Sequence, residues 1–179
     1  MEQKEIEAVL ALLDGKEMHV RGISKMINQP HSTTSRTMKS LLKKNVVDFK
    51  MQGKNKTFRL KNSIEARNYI FMAEHFKLLK FFEKYQDMPA ITEQILSRTG
   101  NKMAILFGSF AKFTAKKDSD IDVFVETQDK NIKKELEKIN PKLSVKIGGF
   151  DKSNLLIKEI IKNHIIIKEV EHYYNKFFD

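Results

Sequence analysis

The stretch from residue 103 to residue 125, MAILFGSFAKFTAKKDSDIDVFV, constrains this chain more than any other. Residues 103–107 form a short, continuous apolar run stopped by a glycine, the pattern of a buried strand. Gly108-Ser109 follows, then a basic segment carrying Lys112, Lys116 and Lys117. Asp118-Ser119-Asp120-Ile121-Asp122 then opens a second apolar run at 123–125. Side chains alternate across a strand, so Asp120 and Asp122 are expected on one face and Ile121 and Val123 on the other. Two carboxylates on one rigid face repel each other unless a cation lies between them. Hard oxygen donors suit Mg2+, which takes one or two carboxylates and completes its shell with water and substrate phosphates. A glycine lets the backbone turn tightly toward a phosphate, and Ser109 adds a hydroxyl beside exposed amides.

The spacing of Gly108-Ser109, ten intervening residues and Asp120-Ile121-Asp122 resembles the signature of the polymerase-beta-like nucleotidyltransferase superfamily. It is most similar to the minimal nucleotidyltransferases of archaea and bacteria. The resemblance implies an α+β domain, a mixed sheet packed with helices. It implies Asp120 and Asp122 as catalytic residues and metal ligands, and Gly108, Ser109, Lys112 and Lys116 around the nucleotide phosphates. Mg2+ would be the cofactor, ATP or another NTP the substrate or ligand, and a hydroxyl the acceptor of the nucleoside monophosphate. Minimal members often act as antitoxins that modify a HEPN-type toxin, so such a toxin is an expected partner.

The match has two departures. Active members carry a third carboxylate on a neighbouring strand, and the strand expected here, residues 143–147, has none. Its cleft-facing positions are Ser144 and Lys146, and Asp151 lies beyond Gly148-Gly149. The family also often continues GS-x-A-R/K-G; Ala111-Lys112 fits, but Phe113 replaces the small residue. Two carboxylates can hold one Mg2+–NTP through its triphosphate. Activating the acceptor hydroxyl through a second ion is harder without the third acid.

The first third of the chain needs a separate account. The 179 residues carry a net charge of +10, and residues 1–62 hold 13 Lys/Arg against 6 Asp/Glu, most of that surplus. A basic segment of this kind suits an anionic partner. Apolar residues at helical spacing predict helices over 5–13, 20–27 and 32–44, with Asp14-Gly15 stopping the first and Pro30 separating the others. Residues 46–51 and 56–60 read as a hairpin around Gly53-Lys54-Asn55. This order resembles a winged helix-turn-helix over residues 3–61, which implies DNA binding. Carried over, Ser32, Thr33, Thr34 and Arg36 would approach base edges, with Lys39 close by. Lys50, Lys54, Lys56 and Arg59 would reach phosphates. The competing reading is a winged helix used for protein docking or dimerisation.

The expected domains are 1–62 for the winged helix-turn-helix, 63–88 for a connecting helix and 89–179 for the nucleotidyltransferase-like part. The connecting helix is rich in aromatics and is a candidate for pairing with its counterpart in a homodimer. Helices are expected at 90–97 and 130–139, and one long C-terminal helix from 151 or 153 to 178. There is no cysteine, so thiolate metal sites are excluded. The five histidines are scattered without ligand spacing. The start of the chain does not read as a signal peptide and no run approaches a membrane span, so no membrane partner and a cytoplasmic location are expected. The function expected is a DNA-binding nucleotidyltransferase. The alternative is a transcription regulator whose degenerate nucleotidyltransferase domain binds nucleotide or mediates assembly without catalysis.

Overall fold

A computed structural model describes residues 2–13 and 15–178, with side chains through Lys176. Two compact units divide the chain, Met1–Phe76 and Lys77–Asp179. The expected stop at Asp14 lies outside the described residues; Gly15 beside it has φ +70°.

The first unit opens with α1 (Gln3–Ala11), whose N-terminus is closed by a capping box between Glu2 and Glu5. A two-residue strand, β1 (Met18–His19), precedes α2 (Val20–Met26) and α3 (His31–Lys43). The hairpin β2 (Val47–Gln52) and β3 (Asn55–Leu60) turns at Gly53, whose φ of +61° a side chain would strain. The sheet order is β1-β3-β2, antiparallel throughout, with Phe49 opposite Phe58. This is a winged helix-turn-helix arrangement, with a short β1 that hydropathy could not reveal. Ala8, Val9, Leu12, Ile23, Met38, Leu41, Val46 and Phe58 form its buried core.

Glu5 carries a buried charge in this unit. The Glu5 side chain is 4% exposed and accepts from Lys44 Nζ at 2.6 and 2.8 Å, Ser40 Oγ at 2.8 Å and Tyr69 Oη at 3.2 Å. Burial pushes its carboxyl up, but the Lys44 and Ser40 donors outweigh that and hold it below the ordinary glutamate value. The group ties α1 to α3 and to the first turns of α4 (Ile64–Lys84), the helix that crosses from one unit into the other.

In the second unit, α5 (Met88–Thr99) starts with Pro89 in its first turn and ends at Gly100. β4 (Ala104–Phe107) leads into the short α6 (Gly108–Ala111), and β5 (Ile121–Glu126) returns antiparallel to β4. The helix α7 (Lys130–Glu137), capped by Asp129, crosses over to β6 (Leu143–Gly148), which lies parallel to β5. The sheet order is β6-β5-β4-β7. Ile121, Val123 and Val125 point into one core with Ile95, Leu106, Leu136 and Val145. Phe124 points the other way, against Phe150, which in turn meets Tyr173 edge to face.

The C-terminus corrects the sequence reading. Instead of one long helix it forms α8 (Leu155–Lys162), β7 (Ile165–Lys168) and α9 (Val170–Phe178). Ile165-Ile166-Ile167 is a β-branched run, stiff at χ1 and suited to a strand, and it fills the free edge of β4. Extended backbone at Asn163 and φ +64° at Glu169 end the helical path on either side. No described helix is long and apolar enough to cross a membrane.

Candidate functional site

The last residue of β4, Phe107, pairs with Asp122 near the start of β5, so the residue after Phe107 must turn directly beside the Asp122 side chain. Gly108 makes that turn at φ +68°. A Cβ there would collide with Asp122 Oδ2 and lie 3.2 Å from its Cγ. Glycine is therefore required twice, for the left-handed conformation and for the close approach of the carboxylate. Residues fourteen apart in sequence are held in contact by a strand pairing.

On the other side β6 is in register with β5, placing Ser144 beside Asp122 and Lys146 beside Phe124. Burial raises the Asp122 carboxyl above its ordinary range; the Ser144 side chain beside it opposes the rise. Asp120 adds negative charge, Lys146 positive charge, and Glu159 negative charge again. Asp120 itself is exposed, just ahead of β5. Glu159, on α8, was not singled out from sequence; it lies 37 residues beyond Asp122 and only the packing of α8 against β4 brings it in. It pairs with Lys112 Nζ at 3.4 Å.

The structure thus gathers Gly108, Asp120, Asp122, Ser144 and Lys146, with Ser109 following Gly108 in α6 and Lys112 held near by Glu159. Lys116 departs from the group: it lines a different cavity, with Lys117 and Lys142, that none of Gly108, Ser109, Asp120 and Asp122 lines. No group of three His, Cys, Asp or Glu among the described residues is arranged to hold a metal. The donors still suit Mg2+, a hard ion that needs only one or two carboxylates. The raised Asp122, under the negative charges of Asp120 and Glu159, is a group a cation would relieve.

A second candidate surface lies in the first unit. His31, Ser35, Lys39 and Leu42 of α3 face Lys54, Asn55 and Lys56 of the wing and Arg21 of α2 across a groove of about 490 Å³. Ser32, Arg36, Lys39, Lys54 and Lys56 are exposed, and Thr33 is half-buried. Lys56 Nζ sits 4.1 Å from the centre of the Phe49 ring, which fixes its direction. Lys50 is paired with Glu17 and Arg59 with Asp48, so their charges are partly answered within the unit. Thr34 is a correction: it is fully buried, and its hydroxyl donates to the Pro30 carbonyl at 3.1 Å, leaving it no surface to offer to DNA. Arg21 and Ser35 were missed, since their place on the groove depends on how α2 and the wing flank α3.

No match to a curated protein sequence was found. A solved structure of TrmBL2, described as an archaeal chromatin protein with a novel mode of DNA binding, aligns with 82% of this chain at 14% identity and TM-score 0.33. The alignment covers 62% of that protein's chain, so this chain accounts for less than two thirds of its length. Residues 90–172, the part of the chain that holds the glycine turn and both aspartates, match the family model for Polymerase beta, Nucleotidyltransferase.

Proposed function

We propose that this protein binds DNA through its winged helix and carries a nucleotidyltransferase site that takes an NTP with Mg2+ and transfers a nucleoside monophosphate to a hydroxyl acceptor. The observation that carries the reading is the approach of Asp122 to the Gly108 turn, which leaves no room for a side chain between the phosphate-binding backbone and the acid. Asp120 and Asp122 would hold Mg2+, whose part is to neutralise phosphate charge as the bond to pyrophosphate breaks. Gly108 and Ser109 offer backbone amides and a hydroxyl to the phosphates, and Lys112 adds positive charge on the Glu159 side. In the transfer, the acceptor oxygen bonds the α-phosphorus, the bond to the bridging oxygen breaks, pyrophosphate leaves and the hydroxyl proton passes to water. A HEPN-type toxin as acceptor follows from the family resemblance.

DNA binding rests on the basic groove between α3 and the wing. Homodimerisation through α4 belongs to the same reading: Ile64, Met72 and Leu79 stay exposed at intervals close to a heptad.

A second reading has an observation of its own. Where active relatives place a third acid, this chain places Ser144 and Lys146 beside Asp122, lowering the negative charge available for a second ion. That favours a DNA-binding regulator in which nucleotide binds without transfer. Incubation with α-labelled NTP, Mg2+ and candidate acceptors, including a HEPN-type partner, separates the two. Label fixed covalently to an acceptor supports transfer; Mg2+-dependent binding with no fixed label supports the regulator. Failure to bind any NTP in Mg2+ would refute both.

A further inference from the structure

The second unit contains a cavity of about 470 Å³ that belongs to neither surface described above. Tyr85, Met88, Ile91 and Phe110 give it an apolar lining; the Tyr85 and Phe110 rings meet at a tilt of 59° with their centres 4.9 Å apart. Lys84, Lys116, Lys117 and Lys142 also line it, with a single carboxylate, Asp87. Lys84 Nζ donates to the Phe113 carbonyl and Lys142 Nζ to the Lys117 carbonyl, each at 2.5 Å, so two of the lysines clamp the segment that carries the other two. Lys116 and Lys117 are exposed and make no ion pair among the described residues.

An apolar wall with a few converging charges is the usual form of a small-molecule site. A cleft lined by one sign of charge also concentrates ligands of the opposite sign. A flat ring would lie against Tyr85 and Phe110, and a phosphate group would sit among the ammonium groups. We propose that this cavity binds a free nucleoside phosphate, at a site additional to the one formed by Gly108 and Asp122. Its wall at 115–119 leads straight into Asp120, so a ligand there would order the approach to the first site.

The test is calorimetric titration of the full chain with ADP in EDTA, where a metal-requiring site is silent. Binding is expected, unchanged in Asp122→Asn. In the Lys116→Ala/Lys117→Ala variant it should be about tenfold weaker, the order expected for two exposed charges near a phosphate. Both lysines are exposed, and an unchanged thermal transition in that variant shows that the fold is intact. Absence of ADP binding in EDTA, or binding indifferent to the lysine pair, overturns the proposal. Inorganic pyrophosphate binding as tightly as ADP overturns it too, because no ring would then be read. A short 5′-phosphorylated oligonucleotide binding more tightly than ADP would overturn the assignment to a free nucleotide. None of these results bears on the Mg2+-dependent site, whose NTP binding is read separately and depends on Asp122.

Discussion

Gly108→Ala is the most exposed consequence of the geometry. An L-residue held at φ +68° costs about 1–2 kcal/mol relative to glycine. The new methyl group also meets Asp122 Oδ2, so the aspartate must rotate away. Rotation also takes the carboxylate away from the Ser144 side chain that offsets its burial, a loss of about 1 kcal/mol. Asp122 is only half-buried and recovers part of this from water, so a total loss of about 1–3 kcal/mol is expected. For a unit of this size that lowers Tm on the order of 10 °C, readable by circular dichroism. A double-mutant cycle separates strain from collision. In an Asp122→Ala background, Gly108→Ala should cost only the backbone strain, leaving a coupling of at least about 1 kcal/mol. Equal cost in both backgrounds, or a neutral Gly108→Ala, would refute the placement of the carboxylate against the turn.

Other outcomes follow from the first unit. Glu5 has a lowered carboxyl pKa, so its contribution to stability is complete above the ordinary glutamate range and is lost as pH falls through the lowered value. Glu5→Gln should lose about 2 kcal/mol at neutral pH, from bonds to a charged acceptor, and unfold with less dependence on pH below about 4.5; an unaltered acid profile would contradict the buried network. For DNA, Lys54→Ala and Lys56→Ala should weaken binding equally for all sequences and each reduce the slope of log K against log salt by about 1. A slope near zero in the unaltered protein would remove the phosphate contacts altogether. Arg36→Ala should relax sequence preference while leaving the slope nearly as it was.

Sequence reasoning reached the elements whose signals are local. β4, the glycine turn and β5 could be read because an apolar run, a Gly-Ser step and alternating acids all lie within residues 103–125. β7 could not, because three adjacent isoleucines after an amphipathic helix fit a continued helix as well as a strand. Only the open edge of β4 decides between them. β1 has two residues, too few for any periodicity, and exists because Met18 and His19 find partners in Phe58 and Thr57. Thr34 was placed at the DNA surface by its position in the first turn of α3, but the phase of the helix turns it inward with Met38 and Leu41. The same limit hid Glu159 and set Lys116 apart from Lys112, since four residues of irregular backbone do not say which way a side chain goes.

The most direct test is the Mg2+ dependence of NTP affinity, measured by equilibrium dialysis on the unaltered protein and on Asp122→Asn. If Gly108, Ser109, Asp120 and Asp122 form one site, Mg2+ strengthens NTP binding in the unaltered protein and has no effect on the variant. Equal Mg2+ dependence in both proteins would contradict the account.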